Sequence, residues 1–162
     1  MREDNMEIRP MLRRDKPAVM RILKATPEFK PSEVVIAEEL LDSYLNSPTD
    51  SGYYVLVAEV DSAAVAGYVC YGPTPLTETT WDIYWMAVDP ELKGRGIGNA
   101  LLSAAEEQIR TRHGRLAVIE TSGTPQYEKT RHFYFARGWE KICQIADFYA
   151  PGDDQVLFIK RL

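Results

Sequence analysis

The hexapeptide "KGRGIG", residues 93–98, stands between the strand-like "WDIYWMAVDP" (81–90) and the helix-like "NALLSAAEEQIR" (99–110). The first backbone N–H groups of a helix have no partner within the helix, and the helix dipole places partial positive charge there. Because glycine has no Cβ, the oxygens of an anion can approach these N–H groups closely. The segment therefore predicts a loop that binds a phosphate-bearing ligand, and Lys93 and Arg95 add positive charge to it.

This segment does not match either of two well-known phosphate-binding loops in full. A Walker A loop needs a lysine and then a serine or threonine after its last glycine, and this chain has neither there. The dinucleotide fingerprint GxGxxG fits better, but its last position falls on Asn99 when counted from Gly94 and on Leu101 when counted from Gly96. Since Glu120 stands near the place of a ribose-binding acid, a nucleotide-dependent oxidoreductase stays open as an alternative.

Strand and helix patterns follow one another along the chain in the order β-α-α-β-β-β-α-β-α-β-β. The predicted strands are 7–12, 53–60, 63–72, 80–88, 115–121, 139–149 and 155–162, and residues 61–62 form the turn of a buried hairpin. The predicted helices are 16–26, 31–48, the segment from the glycine loop to Gly114, and 126–137. The predicted core-facing residues of the first three helices are Ala18, Ile22 and Ala25; Val35, Leu40 and Leu41; and Ile97, Ala100, Leu101, Ala104 and Ile109.

Composition narrows the class of protein. The chain has 162 residues, 45% of them hydrophobic, with a formal net charge of −5, which is typical of one soluble domain and disfavours nucleic-acid binding. No stretch reaches the roughly 20 apolar residues of a membrane span, and residues 1–10 do not resemble a secretory leader. We therefore expect a cytoplasmic protein. Cys70 and Cys143 have no metal-binding spacing and are predicted to be buried thiols.

Two segments carry a resemblance to a known family. The stretch "MAVDPELKGRGIGNALL" (86–102) resembles the acyl-coenzyme A loop of the GNAT (Gcn5-related) N-acetyltransferases, whose pattern is Gln or Arg, two residues, Gly, any residue, then Gly or Ala. Lys93 stands where the family has Gln or Arg. The stretch "TRHFYFARGWEKI" (130–142) resembles the later helix and strand of the family, and the element order is also that of the family. The resemblance covers almost all of residues 6–162.

This resemblance implies a fold and an activity. The fold is α/β (α+β): a central mixed, mostly antiparallel sheet of six to seven strands flanked by about four helices, in one domain over 1–162. The activity is acetyl-CoA-dependent transfer of an acetyl group, without a metal, to a primary amine of a small molecule, peptide or protein. Homodimers are common in the family. A non-catalytic module that binds acyl-CoA is the alternative function.

The resemblance also implies which residues contact the coenzyme. Backbone groups of the strand before the loop bind its pantetheine arm, and the glycine loop binds its pyrophosphate. The residues are Met86, Ala87 and Val88 in the strand, and Lys93, Gly94, Arg95, Gly96, Ile97, Gly98 and Asn99 in the loop. At Tyr127 the sequence departs from the family, many members of which have an Asn that contacts the cofactor.

Three residues are candidates for catalysis. Tyr134 matches the family's tyrosine that protonates the departing sulfur, although a core tyrosine would also fit between two phenylalanines. Asp82 stands where some members have a glutamate that removes the amine proton through water, and Glu120 ends the next strand. The base is therefore Asp82, Glu120 or ordered water.

The acceptor pocket is predicted from the remaining unusual residues. Asp147, Phe148 or Tyr149, near a turn at 150–154, would line the pocket, although a simple hairpin explains the turn equally well. An aromatic wall would come from Trp81, Tyr84 and Trp85, although packing in the core explains these residues equally well. The two histidines, His113 and His132, are predicted to lie on the surface.

Overall fold

The computed structural model describes residues 5–61 and 64–162. Residues 1–4, Ser62 of the predicted turn and Ala63 at the start of the predicted strand 63–72 lie outside the described residues. The strands are β1 (Met6–Pro10), β2 (Tyr54–Val60), β3 (Ala64–Pro73), β4 (Thr80–Val88), β5 (Leu116–Ser122), β6 (Glu140–Ala150) and β7 (Asp153–Arg161). The helices are α1 (Lys16–Ala25), α2 (Pro31–Asn46), α3 (Ile97–Thr111) and α4 (Glu128–Ala136). This element order confirms the predicted fold class.

One mixed sheet organises the described residues, with the strand order β1-β2-β3-β4-β5-β7-β6. All neighbouring strands are antiparallel except β4 and β5, which run parallel. Helices α1 and α2 cover one face, and α3 with Tyr134 of α4 covers the other. Since both faces are covered, the central hairpin of β2 and β3 is buried as predicted.

The core-facing sides of two helices differ from the prediction. In α1 the buried residues are Val19, Met20, Ile22 and Leu23, and Ala25 is exposed. In α2 they are Val34, Ala37, Leu41 and Tyr44, whereas Val35 is 55% exposed. Apolar residues stand next to each other in both helices, so the sequence pattern alone does not define which of two adjacent faces is buried.

Helix α3 ends as its local geometry requires. His113 takes the left-handed conformation with φ +62°, and the N–H of Gly114 donates to the carbonyl of Ile109. Gly114 follows the end of α3, as predicted. The left-handed residue that ends the helix, however, is His113 and not the glycine. A Cβ on Gly114 would collide with Ile109 and Trp81, so this glycine allows close packing.

The edge strand β6 corrects the prediction for one cysteine. Cys70 in β3 is buried, whereas Cys143 in β6 is only partly buried. Strand β6 is bonded to β7 alone, and most of its side chains are exposed. Trp139 just before β6 is buried in the core, whereas the apolar residues of 140–149 belong to an exposed edge strand.

No helix over 5–61 and 64–162 combines the length and the apolar character needed to cross a membrane.

Candidate functional site

The parallel strands β4 and β5 separate and open a cleft. Their pairing covers Thr80, Trp81 and Asp82 on β4 and ends where Asp82 meets Val118. Beyond this point β4 continues to Val88 and β5 to Ser122. The edge of β4 over 83–88 that faces β5 therefore has no strand partner among the described residues, and its backbone groups are available to a ligand.

A large cavity lies at this opening. Its volume is about 1340 Å³, which exceeds the usual range for a single drug-sized ligand. Its wall includes β4 from Asp82 to Val88, β5 from Glu120 to Ser122 and the glycine loop. Phe133 and Tyr134 of α4 and Arg137, which directly follows α4, also line it. The α1–α2 loop and the β6–β7 turn complete it. The cavity thus joins segments that are far apart in the sequence.

The glycine loop opens directly into this cavity. Gly94 and Gly96 have φ values of +81° and +77°, which L side chains rarely adopt. A Cβ at either position would meet no heavy atom within 4 Å, so the loop is open where a ligand would approach. Gly96 is the N-cap of α3, and its carbonyl accepts the first bond of the helix from Ala100 at 3.0 Å. The N–H groups of residues 97–99, which precede this bond, have no partner within the helix and are available to an anion.

Most residues predicted to hold the coenzyme line the cavity together: Met86, Ala87, Val88, Lys93, Gly94, Gly96, Ile97, Gly98 and Asn99. Arg95 is exposed and is not among the lining residues. Strand β4 also contains a β-bulge. Cys70 pairs with Trp85 and Tyr71 with Ile83, so Tyr84 is the extra residue. The extra residue shifts the alternation of side chains along β4 at the point where the cleft opens.

Tyr134 reaches the cavity from inside the core. The residue is 7% exposed, and its ring centroid lies 5.7 Å from that of Phe158 and 6.2 Å from that of Trp139. Burial raises the pKa of Tyr134 to about 12. The phenol therefore stays protonated at neutral pH. The ring packs in the core and the residue also lines the cavity, so its position fits a packing role and leaves the catalytic role as a prediction.

Both candidate carboxylates border the cavity, in different settings. Asp82 lies at the last pair of β4 and β5, and its Oδ2 accepts a hydrogen bond from the Thr74 hydroxyl at 2.7 Å. Glu120 lies on β5, two residues beyond that last pair, and is exposed. The structure thus brings Asp82, Glu120 and Tyr134 to one cavity.

Arg137 is a cavity residue that the sequence analysis missed. Its Nε donates to Asn99 Oδ1 at 2.9 Å, and its Nη1 donates to the Phe133 carbonyl at 3.0 Å. The guanidinium carbon lies 3.6 Å from the centroid of the Phe133 ring. Arg137 thereby links the end of α4 to the first turn of α3 and places positive charge beside the glycine loop. Its position directly before Gly138 in the second motif could have marked it.

The α1–α2 loop and the turn before α4 bond to each other. The Tyr127 hydroxyl donates to the Glu28 carbonyl at 3.0 Å, and Gln126 Nε2 donates to the Pro27 carbonyl at 3.1 Å. Phe29 packs edge-on against Trp85 with a centroid distance of 5.4 Å. Tyr127, which stands where the family has Asn, thus fixes the loop that carries Glu28.

Only some of the residues predicted for the acceptor pocket lie in the cavity wall. Tyr149, Tyr84 and Trp85 line the cavity, whereas Asp147, Phe148 and Trp81 do not. Trp81 is buried against Tyr54 and Tyr71 in the core. The other two belong to a wide bulge, because Ile145 pairs with Gln155 and Ala150 with Asp153, leaving four residues opposite Asp154.

Hydrogen bonds within the turn shape that bulge. Asp147, at φ +56°, accepts the N–H of Gly152 at 2.6 Å, and its own N–H donates to Asp154 Oδ1 at 2.9 Å. The backbone bond from Asp147 and the side-chain bond from Gln144 hold the pKa of Asp154 below its usual range. The role of Asp147 is therefore structural.

The two histidines are exposed, as predicted, and neither lines the cavity. Within residues 5–61 and 64–162 no group of three or more His, Cys, Asp or Glu side chains is placed to hold a metal ion.

Comparisons with known proteins bear on this geometry. The family model of the acetyltransferase (GNAT) domain matches residues 51–141. A GNAT-family protein from Desulfovibrio desulfuricans is 38% identical, with a TM-score of 0.92, over 97% of this chain and 99% of that chain. None of the curated proteins compared with this chain matches it in sequence.

Two more distant solved structures share the fold. The ribosomal-protein-S18-alanine N-acetyltransferase of Escherichia coli is 16% identical, with a TM-score of 0.76, over 97% of this chain and 94% of that chain. The yncA protein of Salmonella typhimurium, solved with acetyl-CoA, is 20% identical, with a TM-score of 0.73, over 98% and 94%.

Proposed function

This chain belongs to the GNAT family of acetyltransferases, and we propose that it transfers the acetyl group of acetyl-CoA directly to a primary amine of a small molecule or peptide. Membership of the family makes it an acyltransferase; the donor and the acceptor are what we propose. One observation carries the proposal. Gly94 and Gly96, in left-handed conformation with free space at the Cβ position, open at the N-terminus of α3 into a cleft with a free strand edge.

The residues around this cleft fit acetyl-CoA. The N–H groups at the start of α3, with Lys93 and Arg137, offer positive charge to phosphate oxygens. The free edge of β4 over 83–88 offers backbone donors and acceptors to a ligand that carries amide groups, in the manner of an added strand. When bound, acetyl-CoA supplies an acetyl thioester that is reactive toward amines. Arg95 stays a predicted contact.

The backbone and Tyr134 provide the catalytic groups. A backbone N–H directed from Met86, Ala87 or Val88 at the oxygen on which negative charge develops lowers the barrier by several kcal/mol. The raised pKa of Tyr134, about 12, keeps its hydroxyl protonated where amines react. We expect that hydroxyl to hydrogen-bond the departing sulfur and to be the group from which the thiolate takes up its proton.

An acceptor amine must lose a proton during transfer, so the cleft needs a base or a water that carries the proton away. Asp82 and Glu120 both border the cavity. We expect Asp82→Asn or Glu120→Gln to lower kcat about 100-fold, whichever removes the base, since general bases contribute 10²–10⁴-fold. Each variant is measured for kcat across pH. If both retain full kcat, water is the base.

Calorimetric titration with acetyl-CoA tests the proposal first, with NADH and ATP as controls for other nucleotides. We expect micromolar binding of acetyl-CoA alone, and release of free thiol when amines are added. Binding without thiol release over a broad amine panel would favour a non-catalytic acyl-CoA-binding module. Selective binding of NADH would favour the oxidoreductase alternative, and absence of all binding would overturn the assignment of the loop.

A further inference from the structure

Carboxylates gather in one part of the cavity wall. Glu28, Glu33, Glu120 and Asp153 line the cavity around the rings of Tyr127 and Tyr149, and we call these four residues the acidic cluster. Burial, and then the negative charge of Glu33, Glu28 and Asp153, raise the pKa of Tyr127. Burial and the negative charge of the nearby Glu120, Asp153 and Glu33 likewise raise the pKa of Tyr149. Glu33 and Asp153 thus lie near both rings, Glu28 lies near Tyr127, and Glu120 lies near Tyr149.

Cations are also present along the wall. Lys93 and Arg137 stand with the glycine loop, where the coenzyme phosphates are expected. Lys30 and Lys129 also border the cavity, and both are exposed. Exposed ammonium groups are well solvated and screened, so they offset the three partly buried carboxylates of the acidic cluster only weakly.

Some oxygens of the acidic cluster are already used by the fold. Glu33 Oε2 accepts the backbone N–H of Lys30 at 2.6 Å, which caps α2. Asp153 Oδ1 accepts the hydroxyl of Ser122 at 2.6 Å. These bonds fix the two carboxylates at the cavity wall and leave their second oxygens for other donors.

Glu28 differs from these two. Its Oε2 is shielded from solvent and accepts no hydrogen bond from any residue in the described part of the chain. A buried acceptor without a donor costs free energy, and native proteins rarely leave one unpaired. Tyr127 and Gln126 hold the backbone of this loop, so Glu28 sits on a fixed segment. Because Glu28 also lines the cavity, a rotation of its side chain toward the cavity would let a cationic ligand satisfy this oxygen.

The acidic cluster borders the same cavity as Asp82, Tyr134 and the free edge of β4, where transfer is proposed. Aromatic residues Tyr84, Trp85, Tyr127 and Tyr149 line it too, and the faces of such rings attract cations. A substrate with two amines could therefore place one at the reacting centre and the other at the acidic cluster.

We propose that the acceptor is a small diamine or polyamine, whose second ammonium group binds Glu28 and the rest of the acidic cluster. This inference rests on the proposed acetyl transfer. The reacting amine forms a C–N bond as the thioester C–S bond breaks, and the proton lost by nitrogen is balanced by the proton gained by sulfur. The second ammonium keeps its charge throughout and serves only for binding.

A chain-length-matched series tests this directly. The probes are 1,4-diaminobutane, 4-amino-1-butanol and 4-aminobutanoate, each with one reacting amine and a positive, neutral or negative far end. We expect kcat/KM for the diamine to exceed that for the amino alcohol about tenfold or more, as charge-assisted bonds allow, and 4-aminobutanoate to be the poorest. Equal values for the diamine and the amino alcohol would overturn the inference, and so would a short peptide that is preferred to the diamine.

Glu28→Gln locates the effect. We expect this variant to lower kcat/KM for the diamine about tenfold, mainly by raising KM. The kcat/KM for the amino alcohol and the Kd of acetyl-CoA should be unchanged. Glu39→Gln, an exposed position of α2 outside the cavity wall, is the matched control and should change nothing. An equal loss with both substrates would indicate a structural defect and contradict the inference.

The outcomes separate the two proposals. Thiol release that is indifferent to the far-end charge leaves the acetyltransferase in place and removes the diamine. If no amine releases thiol, the proposed activity fails, and calorimetry on the protein with coenzyme A then decides the inference. Preferential binding of 1,4-diaminobutane over 4-amino-1-butanol, abolished in Glu28→Gln, would support the cation site, and equal binding would overturn it.

Discussion

The glycine loop and the acidic cluster line the same cavity but are built in opposite ways. The loop, with the end of β4, is one continuous stretch from Met86 to Asn99. The acidic cluster comes from the α1–α2 loop, α2, β5 and the start of β7. A continuous stretch carries its geometry in its own sequence, whereas a composite surface exists only once the strands have paired. The proposed donor is therefore better defined by this chain than the acceptor.

The largest effect is expected from Gly96→Val. A side chain at this position would fill the open space where phosphate oxygens approach α3, so we expect the affinity for acetyl-CoA to fall at least about 100-fold, as for loss of several charge-assisted hydrogen bonds. Calorimetric titration of the folded variant measures this effect.

The backbone conformation at Gly96 calls for a control, because valine at positive φ is strained wherever it stands. Gly52 has the same φ, +77°, and a Cβ there would also meet no heavy atom within 4 Å, but it does not line the cavity. Gly52→Val should therefore lose similar stability and keep normal binding. A Gly96→Val protein that binds normally would remove the loop from the site.

Tyr134→Phe tests the residue that lies in both core and cavity. Since loss of a general acid typically costs 10²–10⁴-fold, we expect kcat to fall about 100-fold while the Kd of acetyl-CoA stays the same. Steady-state thiol release and calorimetry measure the two quantities. Unchanged kcat would leave Tyr134 with a packing role only.

Stability at high pH sharpens the same test. The pKa of a tyrosine is near 10 in the unfolded chain and about 12 for Tyr134 in the fold. The Tyr134 hydroxyl therefore makes its full contribution to the free energy of unfolding below pH 10, and this contribution is lost as the pH rises through 12. At pH 11 this loss is ~1 kcal/mol for wild type and absent in Tyr134→Phe. Urea unfolding of both proteins at pH 8 and pH 11 measures it; an equal loss in both would contradict the assigned pKa.

Sequence patterns predicted the glycine loop and the element order because each depends on neighbours in the chain, whereas Tyr134 was chosen from the resemblance to the family. The wide bulge before Ala150 could not be predicted in the same way. It is held by Asp154, which lies on the neighbouring strand and accepts hydrogen bonds from Asp147 and Gln144. Likewise, Glu28 and Asp153 are far apart in the sequence, and both come near Tyr127 only in the folded chain. Placing such side chains requires the tertiary structure.

A smaller effect is expected from Arg137→Gln, at the side of the loop that the sequence analysis missed. The change removes a cation from the cavity wall and a hydrogen bond to Asn99, so we expect about tenfold weaker binding of acetyl-CoA, from a bond to a charged group. Arg112→Gln is the control. Arg112 also ends a helix, donates to a carbonyl one turn back and covers an aromatic ring, but it lies outside the cavity wall. Equal binding by the two variants would remove Arg137 from the coenzyme site.

The smallest effect is expected from Tyr127→Phe, which deletes the hydrogen bond that fixes the Glu28 backbone. One such bond contributes about 1 kcal/mol, so KM for a diamine should rise about fivefold while the Kd of acetyl-CoA is unchanged. Tyr44→Phe is the control, because its hydroxyl also donates to a backbone carbonyl, that of Met11, away from the cavity. A rise in KM with Tyr127→Phe alone would mean that the fixed loop serves acceptor binding. A rise in the Kd of acetyl-CoA instead would mean that this tyrosine serves the coenzyme, as the family's Asn does, and that the two parts of the cavity are less separate than their construction indicates.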